Sequence, residues 1–387
     1  MIEARTTMPP AGIRRFAALD GLRGVCALMI VFLHAPVGGT IGEAPIVRNA
    51  FLFVDFFFVL SGFVIAHAFA TRIRSWGEAG AFSVSRIKRV YPLHLFMLAL
   101  FLAFELVMLA LRGPDAAFPG GNGFGALLAN LTMTHSLGIV DRLGWNYPSW
   151  SISAELVAYG LFALVLVLVP RLLKPLLMAI LVLAPLALYA AVGHIDVTVV
   201  WGWLRCLYGF SLGVLLRLAI WPRLGSAGPD PAPSHAWTLA EVASVAAVVV
   251  FVILAGTTPL SLAAPFVFGY ALLVFAHEGG ALSRLLKTAP FAFLGLISYS
   301  VYMTHAFVIS RAINGASAFE ALFGLSLMRD RPDGSSVVAG GDVEAGIALA
   351  IIVAATLVIS ALTWRFVETP GQRIVLRRRP SPSPVRT

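Results

Sequence analysis

Long runs of apolar residues, separated by short polar stretches, dominate the sequence from residue 19 to residue 367. A helix that crosses about 30 Å of hydrocarbon needs about 20 such residues. Read with this length, the runs predict ten transmembrane helices, at 19–37, 51–70, 90–111, 149–169, 172–191, 199–218, 236–255, 257–277, 290–312 and 345–367. The predicted fold class is all-α, a polytopic membrane protein of about ten transmembrane helices enclosing a polar cavity.

Two stretches between the predicted helices differ from ordinary short connections. Segment 124–140 is predicted to be either loop or a short re-entrant or interfacial helix, and 313–344 is the longest predicted outer loop. We expect one transmembrane domain over 1–375. Residues 376–387 form a basic tail that we expect to be disordered and cytoplasmic.

Composition supports a membrane protein and fixes an expected orientation. The chain is 59% hydrophobic and 12% charged, which excludes an ordinary soluble domain of 387 residues. With the N-terminus in the cytoplasm, 19 of the 28 lysines and arginines fall in cytoplasmic stretches and five in outer stretches. The net charge of +9 is therefore an orientation signal, and no nucleic-acid partner is expected.

Several kinds of site are not predicted. Cys26 and Cys206 both lie in predicted spans, so we expect neither a disulfide framework nor a thiolate zinc site. The sequence has no Gly-rich phosphate loop, HExxH or GxSxG pattern. No metal is expected. The first span lacks a convincing cleavage site and is interpreted as retained in the mature protein.

Arg23 and His34 are separated by eleven residues in the first span. At about 100° and 1.5 Å per residue, this spacing puts them on one face, about 16 Å apart. Ionisable groups are costly inside a bilayer and usually face a cavity or a partner. The spacing therefore favours a site within the protein, although a snorkelling Arg23 and an interfacial His34 are the alternative.

Depth along the predicted spans separates the ionisable residues into two layers. The outer layer, of acids, imidazoles and one arginine, suits proton transfer, and the inner layer, of guanidinium and imidazole groups, suits an anionic ligand. The outer layer comprises His34, Asp55, Glu105, Glu155, Arg205 and His305, and the inner layer comprises Arg23, His67, Arg86, Arg89, His94 and His277.

Polar residues in the second and third spans have two interpretations each. Asp55 and Ser61 lie in a run of Phe, where Gly62 permits a close helix crossing or a functional site. Arg86 and Arg89 are one turn apart and precede Pro92, which suits the first turn of a helix. Two such guanidinium groups can bind phosphate bidentately, or they can simply be the positively charged residues that flank a span on its cytoplasmic side.

The fourth and ninth spans also carry polar groups. Glu155 follows Ser151 and Ser153 and precedes Tyr159, and because a lone buried carboxylate is costly, a partner such as His34 is expected. The ninth span contributes Ser298, Tyr299, Tyr302 and His305, which serve either function or helix packing.

Taken in order, these motifs resemble those of the acyltransferase-3 family of integral membrane O-acyltransferases. The motifs are LDGLRG with Arg23 and His34, FFVLSGF at 57–63, Arg86 with Arg89, SWSISAE ending in Glu155, SYSVYMTH ending in His305, and VETP at 367–370. The resemblance extends from about residue 16 to residue 375, and it is carried by the order of these strings together with ten spans.

The resemblance implies transfer of an acyl group, commonly acetyl, from cytoplasmic acyl-CoA to a hydroxyl of a saccharide or similar acceptor. It also implies a bacterial inner-membrane protein with both termini cytoplasmic. The conserved Arg and His of the family's first span map onto Arg23 and His34, and its paired arginines map onto Arg86 and Arg89. Some members carry an additional esterase-like domain, which we do not expect here.

Elementary chemistry agrees with this assignment. Neutral imidazole is well matched to take a proton from a hydroxyl near pH 7, so His34 is the candidate base, oriented by Glu155 or Asp55. Arg23, Arg86 and Arg89 are the candidate binding residues for the phosphates of the acyl-CoA co-substrate. Direct transfer and a covalent acyl-His34 intermediate both remain open. A proton-coupled transporter or flippase is the alternative function, and a structural scaffold would leave the polar interior unexplained.

Overall fold

The protein is described here from a computed structural model that covers residues 14–113, 117–118, 120–224, 234–324, 326–330, 336–338 and 340–374. The predicted tail at 376–387 lies outside these residues.

Sixteen α-helices, several short 3₁₀ and π-helical segments and one pair of short strands make up the regular structure of these residues. The helices are α1 Ala17–His34, α2 Gly39–Gly42, α3 Pro45–Arg48, α4 Phe53–Phe69, α5 Trp76–Arg112, α6 Phe124–Leu131, α7 Trp150–Leu168, α8 Leu173–Val192, α9 Gly202–Leu215, α10 Trp221–Leu224, α11 His235–Ala255, α12 Ala264–Ala276, α13 Ala281–Leu286, α14 Ala289–Phe323, α15 Asp342–Thr363 and α16 Thr369–Ile374. The strands are β1 Met328–Asp330 and β2 Ser336–Val338, which pair antiparallel.

The all-α class and ten candidate membrane spans are confirmed for the described residues. The spans are Ala17–His34, Ala50–Phe69, Trp76–Arg112, Tyr147–Leu168, Pro170–Val192, Gly202–Leu224, His235–Ala255, Pro259–Ala276, Ala289–Phe323 and Asp342–Arg373. Below, the side of the bundle where α1 begins is the near face, and the side where α1 ends at His34 is the far face. The enclosed polar cavity stays a prediction.

Helix α5 begins well before the predicted span, and the prediction that Pro92 occupies a first turn is wrong. The Ser75 hydroxyl accepts a hydrogen bond from the Glu78 amide and donates one to the Glu78 carboxylate, so the helix starts at Trp76. Pro92 lies inside the helix, where it removes one backbone donor. Arg86 and Arg89 are therefore part of a continuous helix rather than a flank preceding it.

The predicted loop at 313–344 is also partly wrong. Helix α14 continues through 313–323 to Phe323, because this stretch is rich in residues that favour helix and has no proline. The remaining described part forms the β1 and β2 pair, and the Val338 amide donates to the Pro36 carbonyl. Within 124–140, a short helix spans Phe124–Leu131, which matches the short-helix alternative over part of that segment.

Glycines set the closest helix crossings. A Cβ atom on Gly24 would lie 2.7 Å from the Gly295 nitrogen, so α1 and α14 touch backbone to backbone. A Cβ on Gly62 would lie 2.1 Å from the Phe210 carbonyl oxygen, and one on Gly213 would lie 2.0 Å from that of Val59. The close crossing predicted at Gly62 is thus made by α4 against α9.

Candidate active site

Arg23 and His34 both face α14. The Arg23 guanidinium donates from Nε to the Ser298 hydroxyl at 2.8 Å and from Nη2 to the Gly295 carbonyl at 2.7 Å. Eleven residues further along α1, the His34 ring lies 5.1 Å from the His305 ring, measured between centroids. The spacing predicted one face for both residues, and α14 is the element that this face contacts.

The His34 ring lies at the far face with one nitrogen committed and one available. Its Nδ1 lies 2.9 Å from the Ile30 carbonyl oxygen, and since a carbonyl only accepts, Nδ1 carries the proton. Nε2 of the neutral ring then holds a lone pair. The side chain is half-buried, and the Tyr147 ring packs 5.1 Å from it. This arrangement suits a general base.

His305 repeats this arrangement on α14. Its Nδ1 lies 3.3 Å from the Val301 carbonyl, and its Nε2 is buried with no hydrogen-bond partner. A buried nitrogen without a partner is uncommon and often marks a functional position. Two neutral imidazoles therefore meet at the far face, each with Nε2 unprotonated.

The loop before α7 supports this pair. Asn146 donates to the Met303 carbonyl of α14 at 3.1 Å, which holds the following residue, Tyr147, against both the His34 and His305 rings. The Tyr302 and Ser151 hydroxyls are hydrogen-bonded at 2.8 Å and join α14 to α7. Tyr147 was not a predicted site residue, and its position depends on a tertiary contact.

Asp55 does not orient His34, because it is committed to Arg205. The Arg205 guanidinium donates to both Asp55 oxygens, at 3.2 and 2.8 Å, and the two side chains are 0% and 1% exposed. A buried carboxylate needs such a cation to offset its desolvation. Arg205 also binds the Phe51 carbonyl and lies 3.4 Å from Asp196, at its Oδ1.

Asp196 is the carboxylate whose charge acts on His34. It lies in the loop between α8 and α9 and is 36% exposed. Sequence reasoning did not single it out, because nothing in its local pattern indicates proximity to α1. A negative charge there stabilises a protonated His34.

Glu155 does not pair with His34 either. Its neighbours are the Ser61 and Tyr159 side chains and, at longer range, Arg86 and Arg89. Ser61 and Tyr159 are themselves hydrogen-bonded at 2.7 Å. Glu155 is the sixth residue of α7, in the half of that helix toward the far face, and its assignment to the outer layer stays a prediction.

The inner arginines form a second cluster. Arg86 packs against the Phe69 and Phe82 rings, at 5.1 and 5.9 Å from their centroids. Arg89 is exposed, and its charge acts on Arg23, Glu155 and Glu368.

Glu368 is a further member that was not predicted as a site residue, although it belongs to the VETP string. It is 8% exposed and accepts a hydrogen bond from the Ser300 hydroxyl at 2.7 Å. The electrostatic neighbours of this carboxylate include Arg89 and Arg23. The cluster therefore combines three cations with two acids, and we call Arg23, Arg86, Arg89, Glu155 and Glu368 the arginine cluster.

His94 lies away from the arginine cluster. Its Nε2 lies 2.9 Å from the Asn130 carbonyl, and its ring stacks on His135 at 6.4 Å. His135 in turn contacts the Ser149 hydroxyl at 3.0 Å, and burial lowers the pKa of His135 to about 4. His94, at the middle of α5, is thus linked through His135 to the start of α7, and its assignment to the inner layer stays a prediction.

Comparison with known sequences identifies the family. The sequence model of the family described as an acyltransferase domain, the acyltransferase-3 family, matches residues 16–365. The chain belongs to the acyltransferase-3 family. No solved structure matches this acyltransferase with significant similarity.

Three relatives share part of the membrane acyltransferase sequence. Protein 2 in the picA locus of Rhizobium radiobacter is 35% identical over 38% of this chain and 81% of its own length. The acyltransferase MdmB of Streptomyces mycarofaciens is 31% identical over 41% of this chain and 40% of its own length. A Komagataeibacter xylinus protein named as a membrane-bound transacylase, BcsY, is 28% identical over 74% of this chain and 71% of its own.

The described residues of this acyltransferase include no group of three or more His, Cys, Asp or Glu side chains that could hold a metal ion. Cys26 and Cys206 are buried free thiols. The side chains available for acyl transfer are therefore imidazole, hydroxyl, carboxylate and guanidinium groups.

Proposed function

We propose that this membrane acyltransferase moves an acetyl group from cytoplasmic acetyl-CoA to a hydroxyl of a saccharide acceptor, with His34 as the general base. The observation that carries the proposal is the Ile30 carbonyl on Nδ1 of His34, which leaves Nε2 as a proton acceptor on a half-buried ring. In this proposal the near face is the cytoplasmic side of a bacterial inner membrane, and both termini are cytoplasmic.

The chemical step has a simple balance. Nε2 of His34 takes the proton of the acceptor hydroxyl while the hydroxyl oxygen attacks the thioester carbonyl carbon of the acyl-CoA. The C–O bond forms, the C–S bond breaks, and the CoA sulfur leaves as a thiolate that receives the proton from His34. Asp196 stabilises the intervening imidazolium, since its charge acts on the His34 ring.

His305 supports this step as a second proton acceptor. Its unpartnered Nε2 lies on a ring 5.1 Å from the His34 ring, so either imidazole can accept an added proton. The two rings, neither bound to a carboxylate, carry no charge of their own before substrate binds.

Arg86 and Arg89 bind the phosphates of CoA in this proposal. Arg89 is exposed, and its side chain takes part in none of the hydrogen bonds found among the described residues, which leaves its planar fork for a ligand. Arg86 is held by two aromatic rings that fix its direction. The flexible pantetheine arm then carries the thioester toward His34.

The other predicted site residues take supporting roles. Arg23 gives two of its nitrogens to α14, and its Nη1 lies 3.7 Å from Asp20 Oδ1, so it holds α1 in register and contributes its charge to the site for the CoA phosphates. Glu155 positions the side chains between the two regions through Ser61, Tyr159 and the charges of Arg86 and Arg89. Asp55 positions Arg205.

The test is thiol release from acetyl-CoA by purified protein in lipid nanodiscs, with a panel of mono- and oligosaccharides as acceptors. We expect acceptor-dependent release of free CoA and an acetylated product of matching amount. A protein that binds CoA but neither releases thiol nor acetylates any acceptor, and that moves substrate across vesicles instead, would contradict the proposal and favour a transporter.

A further inference from the structure

An open pocket at the far face is lined by Tyr147, the neighbour of His34. Its volume is about 440 Å³, and its walls are the far end of α5, residues 121–122, 143–145 and 147, and α14. The lining residues used below are Phe104, Glu105, Tyr147, Arg311 and Asn314.

Tyr147 joins this pocket to His34. The Tyr147 side chain lines the pocket, and its ring packs 5.1 Å from the His34 ring on the other side. A molecule seated in the pocket is therefore one aromatic side chain away from Nε2 of the candidate base. Asn146 holds this side chain in place through the Met303 carbonyl.

Arg311 is the unusual member of the pocket. Its Nε and Nη1 atoms are both buried and have no hydrogen-bond partner. The guanidinium lies on the Phe104 ring, 3.1 Å from the centroid, with the Phe307 ring at 5.2 Å. Aromatic faces attract the cation but do not satisfy its N–H groups, and buried donors without partners are costly.

Glu105, the one acidic residue that lines the pocket, does not form a hydrogen bond or ion pair with Arg311. Glu105 accepts hydrogen bonds from the Phe118 amide at 2.6 Å and from Asn122 Nδ2 at 2.9 Å, so both of its oxygens anchor the loop. Its charge acts on Arg311, but the two form none of the ion pairs found among the described residues. A fixed cation that forms none of the hydrogen bonds or ion pairs found among the described residues therefore lines a pocket large enough for a sugar ring.

We propose that this pocket binds the acceptor, and that the acceptor is a saccharide with a carboxylate or phosphate group bound by Arg311. This deepens the proposed function and rests on it. Arginine binds either oxyanion through charge-assisted hydrogen bonds. Tyr147 supplies an aromatic surface for the sugar ring, and its side chain must turn aside for a sugar hydroxyl to reach Nε2 of His34.

A phospholipid headgroup presents the same phosphate chemistry at a membrane face, so the test separates the two sources. Asn314 is exposed in the pocket, and the native cysteines are buried, so Asn314→Cys gives one accessible thiol among the described residues. The rate at which a membrane-impermeant maleimide labels this thiol is measured in phosphatidylcholine nanodiscs. Glucuronate, glucose 6-phosphate and glucose are added in turn.

We expect glucuronate and glucose 6-phosphate to slow labelling and glucose to have little effect. Adding Arg311→Gln should weaken protection by the anionic sugars about tenfold, because charge-assisted hydrogen bonds are lost. Arg112→Gln is the matched control, since Arg112 is an exposed arginine at the far end of α5. It should leave protection unchanged.

Equal protection by glucose and glucuronate would overturn the anionic part of the proposal, and no protection by any sugar would overturn the acceptor pocket. Slower labelling on adding phosphatidylglycerol to the nanodiscs, with no effect of the sugars, would assign Arg311 to a lipid headgroup instead. Labelling needs no acyl transfer, so its failure is distinguishable from failure of the proposed function, which thiol release reports.

Discussion

The imidazole pair at the far face, His34 and His305, and the arginine cluster differ in the charge that their roles require. His34 and His305 are neutral, use backbone carbonyls at Nδ1, and each keep Nε2 unprotonated. The arginine cluster instead holds permanent charges, kept close to Glu155 and Glu368. A group that must gain and lose a proton is placed against neutral rings, and groups that must hold an anion are placed together.

This difference predicts that the two regions affect different kinetic quantities. The imidazole pair should control the chemical step, and the arginine cluster should control CoA binding. Three experiments follow, in order of decreasing expected effect: the first and third test this separation, and the second tests the buried ion pair of Asp55 and Arg205.

The largest effect is expected for His34→Ala. Loss of a general base typically lowers the rate by about 10²–10⁴. We expect this loss in kcat for thiol release, with CoA affinity unchanged because the arginine cluster is intact. His235→Ala is the control, since His235 is exposed at the start of α11. A variant that keeps wild-type turnover, or that loses CoA binding instead, would break the comparison.

A smaller effect, on folding stability, is expected for Asp55→Asn. Removing one partner of a buried ion pair costs about 3–5 kcal/mol, and Arg205 would keep only the partly exposed Asp196, at 3.4 Å, as a carboxylate partner. The Asp55→Asn, Arg205→Gln double variant should recover part of this loss in thermal unfolding. Asp141→Asn, in the exposed pair with Arg142, is the control and should change little. A double variant no more stable than the single one would show that the charge of Arg205 does not account for the destabilisation caused by Asp55→Asn.

The smallest of the three effects is expected for Arg86→Gln and Arg89→Gln. Each lost charge-assisted contact costs about 1.5–3 kcal/mol, or roughly tenfold to a hundredfold in Kd for CoA. Lys88→Gln removes a positive charge from the same turn of α5 but from another face of the helix, and it should change Kd little. Isothermal titration measures all three. If Lys88→Gln weakens binding as much as the arginine variants, general charge and not a defined site attracts CoA.

Much of the fold was predictable because apolar runs of membrane length are a strong local signal. Ten spans and the common face of Arg23 and His34 follow from length and helical spacing alone. The start of α5 was mispredicted because Pro92 is a local signal for a helix start, whereas the Ser75 cap lies seventeen residues earlier.

Partners in the candidate site were harder to predict than its members. Asp55, Glu155 and His34 were all identified as ionisable residues within spans, but which acid meets which cation depends on helix packing. Asp196 and Arg311 gave no local signal, because their significance comes from the residues that surround them in three dimensions. Glu368 did have a signal, in the VETP string, that was used only for the resemblance.

The glycine crossing of α1 and α14 acts as a pivot for the imidazole pair. His34 lies ten residues beyond Gly24, and His305 lies ten residues beyond Gly295 on the helix that runs beside it. Both arms are therefore about 15 Å long. A change of one degree in the crossing angle shifts the two rings relative to each other by about a quarter of an ångström over such an arm. A methyl group at Gly24 or Gly295 would thus alter the distance between the His34 and His305 imidazoles without touching either ring. The two glycines therefore set the spacing of the imidazole pair.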